Sequence, residues 1–164
     1  MFRSHLEAER RETVSEFPKN TEQIEVARKF KIKVRFDYRG LPRRARFFFG
    51  GKGSREMAEE IRQQQVAMWR NVPMQGVRVE DADYFDLYSV YDDLEDEQIF
   101  YAPLEIKVTV DSLEECVRFI SRDEFRRIEI LEPAQVNMTS RDLERIFFKL
   151  NESLKQRLRE QELK

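Results

Sequence analysis

The sequence has little of the residue chemistry that catalysis and metal binding commonly use. Its 164 residues include one histidine, His5, and one cysteine, Cys116. A single cysteine excludes an intrachain disulfide, and the CxxC and HExxH zinc motifs are absent. A Ser-His-Asp or Cys-His arrangement would have to use His5, close to the amino terminus. We therefore expect a non-enzymatic protein with no metal and no cofactor.

Long hydrophobic runs are also missing. No apolar stretch approaches the ~20 residues that a membrane-spanning helix needs, and the amino terminus lacks the apolar segment of a secretory signal. Together with the single cysteine, these absences predict a soluble, cytoplasmic protein without membrane insertion. The composition, 40% hydrophobic and 38% charged, is typical of a globular chain.

Hydrophobic periodicity predicts strands and a helix in the first half. From Ile24 to Tyr38 the apolar side chains fall mainly on even positions, which indicates one long amphipathic strand. The turn residues "RGLPR" and the segment "RARFFF" (44–49) predict the second strand of a β-hairpin. Helical spacing then runs to Arg70, with Ser54 as the candidate N-cap.

The second half alternates strands and helices. Short strands are expected within 77–102, and strand-helix-strand-helix order follows from Leu104, with Thr139 and Asp142 capping the last helix. The prediction is an α+β fold: a mostly antiparallel sheet with a long N-terminal β-hairpin, helices on one face, a C-terminal β-α-β-α segment of ferredoxin-like character and a long terminal helix. Residues 1–164 suit one domain, or two subdomains of residues 20–76 and 77–164.

Charge is segregated along the chain. Between Arg28 and Arg55 there are eleven Lys or Arg and one acid, whereas between Glu80 and Glu105 there are ten Asp or Glu and no Lys or Arg. We call these segments the basic block and the acidic block. The formal net charge of −2 hides this contrast.

The basic block predicts a binding surface. If the even positions face the core, the odd-numbered cations of the first strand face away from it. Such a ribbon, with an aromatic among its arginines, suits an acidic protein partner, or RNA or single-stranded DNA, whose phosphates pair with cations and whose bases stack on aromatics. The candidate residues are Lys31, Lys33, Arg35, Arg43, Arg44, Arg46 and Phe48.

The acidic block is rich in tyrosine and predicts a second surface. Tyrosine gives a protein interface apolar area with a polar tip, and the proposed docking patch consists of Tyr88, Tyr91, Asp92, Asp93 and Glu95. The same carboxylates, or Asp81 and Asp83, could serve as oxygen ligands for Mg²⁺ or Ca²⁺, although EF-hand spacing is absent. A solvated acidic turn is the simpler interpretation.

Two interpretations without a partner remain open for these blocks. The basic face could be the solvated side of the sheet, or the acidic block could pair with it within one molecule. We predict an adaptor, assembly factor or structural component that binds a protein partner or itself, the leucines of the terminal helix offering one surface for self-association. Binding of RNA or single-stranded DNA by the basic hairpin is the alternative, and a carboxylate-metal enzyme is the second alternative.

Overall fold

A computed structural model describes residues 29–41, 53–94 and 96–163. Across these residues the chain has the predicted α+β architecture, an antiparallel sheet of five strands combined with three α-helices. The elements are β1 (Phe30–Arg39), α1 (Ser54–Asn71), β2 (Val77–Tyr84), β3 (Tyr88–Asp92), β4 (Glu97–Val110), a 3₁₀ helix (Leu113–Cys116) that runs into α2 (Val117–Ile120), β5 (Phe125–Glu132) and α3 (Ser140–Glu162).

The first strand lies in the middle of the sheet. Both β4 and β5 pair antiparallel with β1, so they run parallel to each other with β1 between them. The 3₁₀ helix and α2 connect β4 to β5, which gives the split β-α-β unit of ferredoxin-like folds. The terminal helix α3 completes the predicted β-α-β-α order.

The predicted N-terminal hairpin falls only partly on described residues. The strand β1 is described from Phe30, while the expected start at Ile24 and the second strand, 44–49, lie outside the described residues. Among the described strands, the neighbours of β1 are β4 and β5. Strands from both proposed subdomains therefore belong to one sheet.

The strands β2 and β3 both pair with β4, each with a different part of its length. Tyr84 at the end of β2 is opposite Leu104, and Tyr88 at the start of β3 is opposite Tyr101. Three residues, 85–87, interrupt the pairing, and β3 then pairs with the start of β4, ending with Asp92 opposite Glu97. Up to Asp92 the acidic block thus forms an interrupted edge strand, and its last part, from Glu97 to Glu105, lies in β4 between that edge and β1.

The core lies on the even-numbered side of β1, as the alternation predicted. Ile32, Val34 and Phe36 are fully buried, and α1 and α2 cover them with Trp69 and Phe119 respectively. The indole ring of Trp69 lies 5.8 Å from the ring of Phe36 and 5.5 Å from that of Phe119. Burying one such side chain contributes about 1.5–3 kcal/mol, so this cluster fixes both helices on one face of the sheet.

The caps at the two long helices differ from each other. Thr139 and Asp142 form the predicted capping box at α3. The N-cap of α1 is Gly53, so the prediction for Ser54 is wrong. The buried Ser54 hydroxyl instead donates a hydrogen bond to the carbonyl of Gly40 (2.7 Å) and accepts one from the N–H of Phe100 (2.8 Å). The hydroxyl therefore links the start of α1 to Gly40, just after β1, and to Phe100 within β4.

The terminal helix α3 rests against the 3₁₀ helix and α2. Arg145 forms an ion pair with Glu114 at 2.8 Å, and Arg157 forms one with Asp123. None of its residues is buried. Among the described residues, no helix is both long and apolar enough to cross a membrane.

Candidate functional site

The odd-numbered side of β1 and β4 forms a charged surface, which we call the polar face. Lys31 and Lys33 lie on it, as predicted from the alternation. Lys31 Nζ lies 3.1 Å from Glu132 Oε1, and Lys33 Nζ lies between Glu105 (3.5 Å) and Glu129 (3.3 Å). A hydrogen bond to Glu129 and the charge of Glu105 raise the pKa of Lys33 above its ordinary value of 10.5.

Arg35, the third predicted cation of β1, is also paired within the chain. Its Nε lies 3.0 Å from Asp37 Oδ1, and Arg126 of β5 lies 3.4 Å from the second oxygen of this buried carboxylate. The Tyr88 hydroxyl donates a hydrogen bond to Asp37 at 2.9 Å. Burial and this hydrogen bond raise the pKa of Tyr88.

Carboxylates of the acidic block thus form ion pairs with some of the cations of the basic block. Glu105 binds Lys33, and Asp92 binds Arg39 with 3.0 Å between Asp92 Oδ2 and Arg39 Nη2. Carboxylates of β5 and of β1 itself provide the rest of the described contacts. On the described part of the polar face, the cations of β1 are therefore engaged by carboxylates of the same molecule.

The remaining predicted residues of the basic surface cannot be placed on this face. Arg43, Arg44, Arg46 and Phe48 lie outside the described residues. The structure consequently brings together Lys31, Lys33 and Arg35 but does not test the second strand of the hairpin.

Exposed apolar side chains collect along β2, β3 and the following turn. We call this surface the aromatic edge, which consists of Tyr84, Phe85, Tyr88, Val90, Tyr91 and Leu94. Tyr91 is 57% exposed and Leu94 is 96% exposed. The predicted patch residues Tyr88 and Tyr91 belong to it, and Tyr84, Phe85, Val90 and Leu94 extend it beyond the predicted patch.

The described residues of the predicted patch have different environments. The ring of Tyr88 stacks on that of Tyr101, with 5.2 Å between centroids and 10° between planes. The Tyr91 hydroxyl donates a hydrogen bond to Asp96, which raises the pKa of Tyr91. Asp93 is exposed in the turn. Glu95 lies outside the described residues.

The aromatic edge coincides with an open edge of the sheet. Within the described ranges, β2 and β3 have a strand neighbour, β4, on one side only. A strand edge with no strand beside it presents backbone N–H and C=O groups with which an added strand can pair. Such an edge can bind an extended polypeptide by main-chain hydrogen bonds, while exposed side chains select its sequence.

An arginine of α1 fixes the interruption in this edge. Arg62 Nη1 donates hydrogen bonds to the carbonyls of Phe85 (2.7 Å) and Pro103 (3.1 Å), and its guanidinium lies 5.2 Å from the centre of the Tyr84 ring. Nothing in the spacing of the sequence pointed to Arg62, because its partners are carbonyl groups that are distant along the chain.

Groups suited to catalysis or metal binding are sparse in the described part of the chain. Burial raises the pKa of the Cys116 thiol to about 11, and His5 lies outside the described residues. No group of three or more His, Cys, Asp or Glu side chains among those described could hold a metal ion. Of the predicted carboxylate ligands, Asp83 lies 3.8 Å from Lys107, and Asp81 accepts a hydrogen bond from the N–H of Ala82.

The sequence gives no match when it is compared with protein-family models, and none when it is compared with curated proteins.

Proposed function

We propose that this chain works by binding another protein, as an adaptor, assembly factor or structural component, and that the partner docks on the aromatic edge. One observation carries the proposal: exposed Tyr84, Phe85, Val90 and Tyr91 line a strand edge without a strand neighbour among the described residues. The register places Tyr84 and Tyr91 on the helix side of the sheet and Val90 on the polar face, so an added strand would meet exposed apolar side chains on both of its faces. Exposed apolar side chains of this kind are a common mark of a protein-binding site.

The chemistry of the edge favours an extended segment as the bound element. An added strand would gain main-chain hydrogen bonds from β2 and β3. Tyr84 and Tyr91 would supply apolar area together with a hydroxyl group that stays hydrogen-bonded. The stacked ring of Tyr88 and the contacts of Arg62 hold this surface in place before binding, which reduces the ordering cost of association.

Charge indicates which segment would fit. Asp81, Asp86 and Asp93 are exposed along the edge, and the acidic block contains no Lys or Arg. A segment that alternates Lys or Arg with apolar residues would be attracted, whereas an acidic segment would be repelled.

Nucleic-acid binding through the basic hairpin stays the alternative. The described cations of β1 already contact carboxylates, and an incoming phosphate would have to displace them. This arrangement supports a protein partner over a polynucleotide. We expect the protein to act in the cytoplasm, where a single reduced thiol such as that of Cys116 is stable.

The experiment compares variants of equal exposure on opposite edges of the sheet. The tagged chain is used to capture proteins from its own cells, and the binding affinity of the captured protein is then measured with purified components. Phe85→Ser and Tyr91→Ser should each weaken binding about tenfold or more, as expected for central interface aromatics. Ile130→Ser on β5 is the control, because Ile130 is 43% exposed and Phe85 is 42% exposed.

Equal binding by the wild type and both edge variants would overturn the proposal. Retention of a polynucleotide at low salt, lost on the double substitution Arg44→Glu and Arg46→Glu, would favour the alternative instead.

A further inference from the structure

The helix α3 exposes a row of apolar side chains along one side. Leu143 is 42% exposed, Phe147 63%, Leu154 59% and Leu158 59%. Their spacing of four, seven and four residues keeps them on one side of a helix. The opposite side of the helix contacts the domain through Arg145 and Glu114, and Arg157, beside the row, contacts Asp123. We propose that this row packs against the same row of a second copy of the chain, with the two helices antiparallel.

The row is complementary to itself in the antiparallel direction. Counted in residues, Leu143 and Leu158 lie equally far from the midpoint between Leu150 and Asn151, and so do Phe147 and Leu154. A two-fold axis at that midpoint places Leu143 opposite Leu158 of the second copy, and Phe147 opposite Leu154. A symmetric dimer requires this kind of self-matching surface, and each apolar side chain meets another one.

The charges beside the row fit the same arrangement. Glu144 and Lys155 lie on the solvent-facing flank of the row, and both are exposed. Neither has an ion-pair partner among the described residues. In antiparallel helices equivalent flanks face each other, so Glu144 of one copy comes within reach of Lys155 of the other. The two-fold axis generates this ion pair twice.

The oligomeric state of the full chain tests the interface. Sedimentation equilibrium over a range of protein concentrations should show a reversible dimer for the wild type. Phe147→Ser should weaken dimerisation about tenfold or more. Phe148→Ser is the comparison, because Phe148 is 64% exposed but lies outside the row, on the flank of Glu144, and it should weaken the dimer less than Phe147→Ser. Circular dichroism would verify that both variants remain folded.

Charge exchange tests the direction of the helices. Glu144→Lys alone and Lys155→Glu alone should each weaken the dimer roughly threefold to tenfold at low salt, because each puts like charges together. The double variant should recover wild-type dimerisation. Failure of the double variant to recover it would overturn the antiparallel pairing.

Cysteine cross-linking gives an independent measure of the register. Oxidised Asn151→Cys should form a disulfide-linked dimer, since the two copies of residue 151 lie beside the axis. Ser140→Cys should not, because its two copies lie about 30 Å apart along an antiparallel pair. Equal cross-linking at both positions would contradict the proposal, as would a wild-type chain that stays monomeric at millimolar concentration. None of these substitutions touches the aromatic edge, so the result is independent of the proposed function.

Discussion

Glu105 and Lys33 lie on neighbouring strands with 3.5 Å between Glu105 Oε1 and Lys33 Nζ, and their side chains are 9% and 24% exposed. The pair joins the acidic block to the basic block within one sheet. Glu105 also lies 3.2 Å from Arg127, so one carboxylate holds two cations. The contrast in charge along the sequence therefore becomes, on the polar face, a set of internal ion pairs.

Replacing Glu105 should cost more stability than replacing its exposed counterpart. Glu105→Gln removes the charge of a carboxylate that is 9% exposed and shared by two cations, and we expect a loss of about 1–3 kcal/mol in the free energy of unfolding. Glu129→Gln removes an exposed partner of the same Lys33 and should cost less than about 1 kcal/mol. Urea denaturation of both variants measures the difference, and equal losses would contradict the assigned role of Glu105.

Gly40 should not tolerate a side chain. A Cβ atom at this position would lie 1.8 Å from the carbonyl oxygen of Ser54, so β1 and α1 would have to separate. Gly40→Ala should destabilise the fold by about 1–3 kcal/mol or more. Gly53→Ala is the control, since a Cβ there meets nothing within 4 Å, and its cost should stay below about 1 kcal/mol. Thermal unfolding of the two variants measures the difference, and equal losses would contradict the role assigned to Gly40.

Glu80 should make stability depend on pH in the acidic range. The Thr109 hydroxyl donates a 2.5 Å hydrogen bond to Glu80, which holds the pKa of this carboxyl below its ordinary value of 4.5. A lowered folded-state pKa adds stability above pH 4.5 that is lost as the pH falls through the folded-state pKa. Thr109→Val should raise the pKa of Glu80, which carbon NMR titration of the carboxyl measures. The stability difference between wild type and variant should shrink on acidification, and a constant difference would argue against this linkage.

Cys116 should be unreactive in the native protein. Only 8% of Cys116 is exposed, and burial raises the pKa of its thiol to about 11. The thiolate, which is the nucleophile, is therefore scarce at neutral pH. Iodoacetamide should label the native chain slowly and the urea-unfolded chain rapidly. Rapid native labelling would mean that the segment around α2 opens readily.

The fold class could be predicted from the sequence because the patterns that indicate it are formed by residues close together in the chain. Alternation placed Ile32 and Val34 in the core, and helical spacing with a capping box placed α3. Ser54 was misassigned as a cap because its true partners, Gly40 and Phe100, are distant along the chain. The preference of serine for N-cap positions depends on residues that are close in the sequence, so it cannot predict hydrogen bonds to distant residues.

The candidate site was less predictable for a related reason. Tyr88 and Tyr91 were found from composition alone, but the exposure of Phe85 depends on the interruption that Arg62 supports from another element. Likewise, the pairing of Lys33 with Glu129 depends on the position of β5 beside β1. Strand order is set by the whole sheet, so periodicity within one segment cannot reveal which charges will meet.

Hydrogen exchange of the complex with the captured partner tests the central claim most directly. Partner binding should slow exchange at the backbone amides of β2 and β3 that point away from β4, because they would donate to the added strand. The amides of β5, at the other edge of the sheet, should exchange at their unbound rates. Protection confined to β5 or to residues 42–52, with β2 and β3 unchanged, would contradict docking on the aromatic edge.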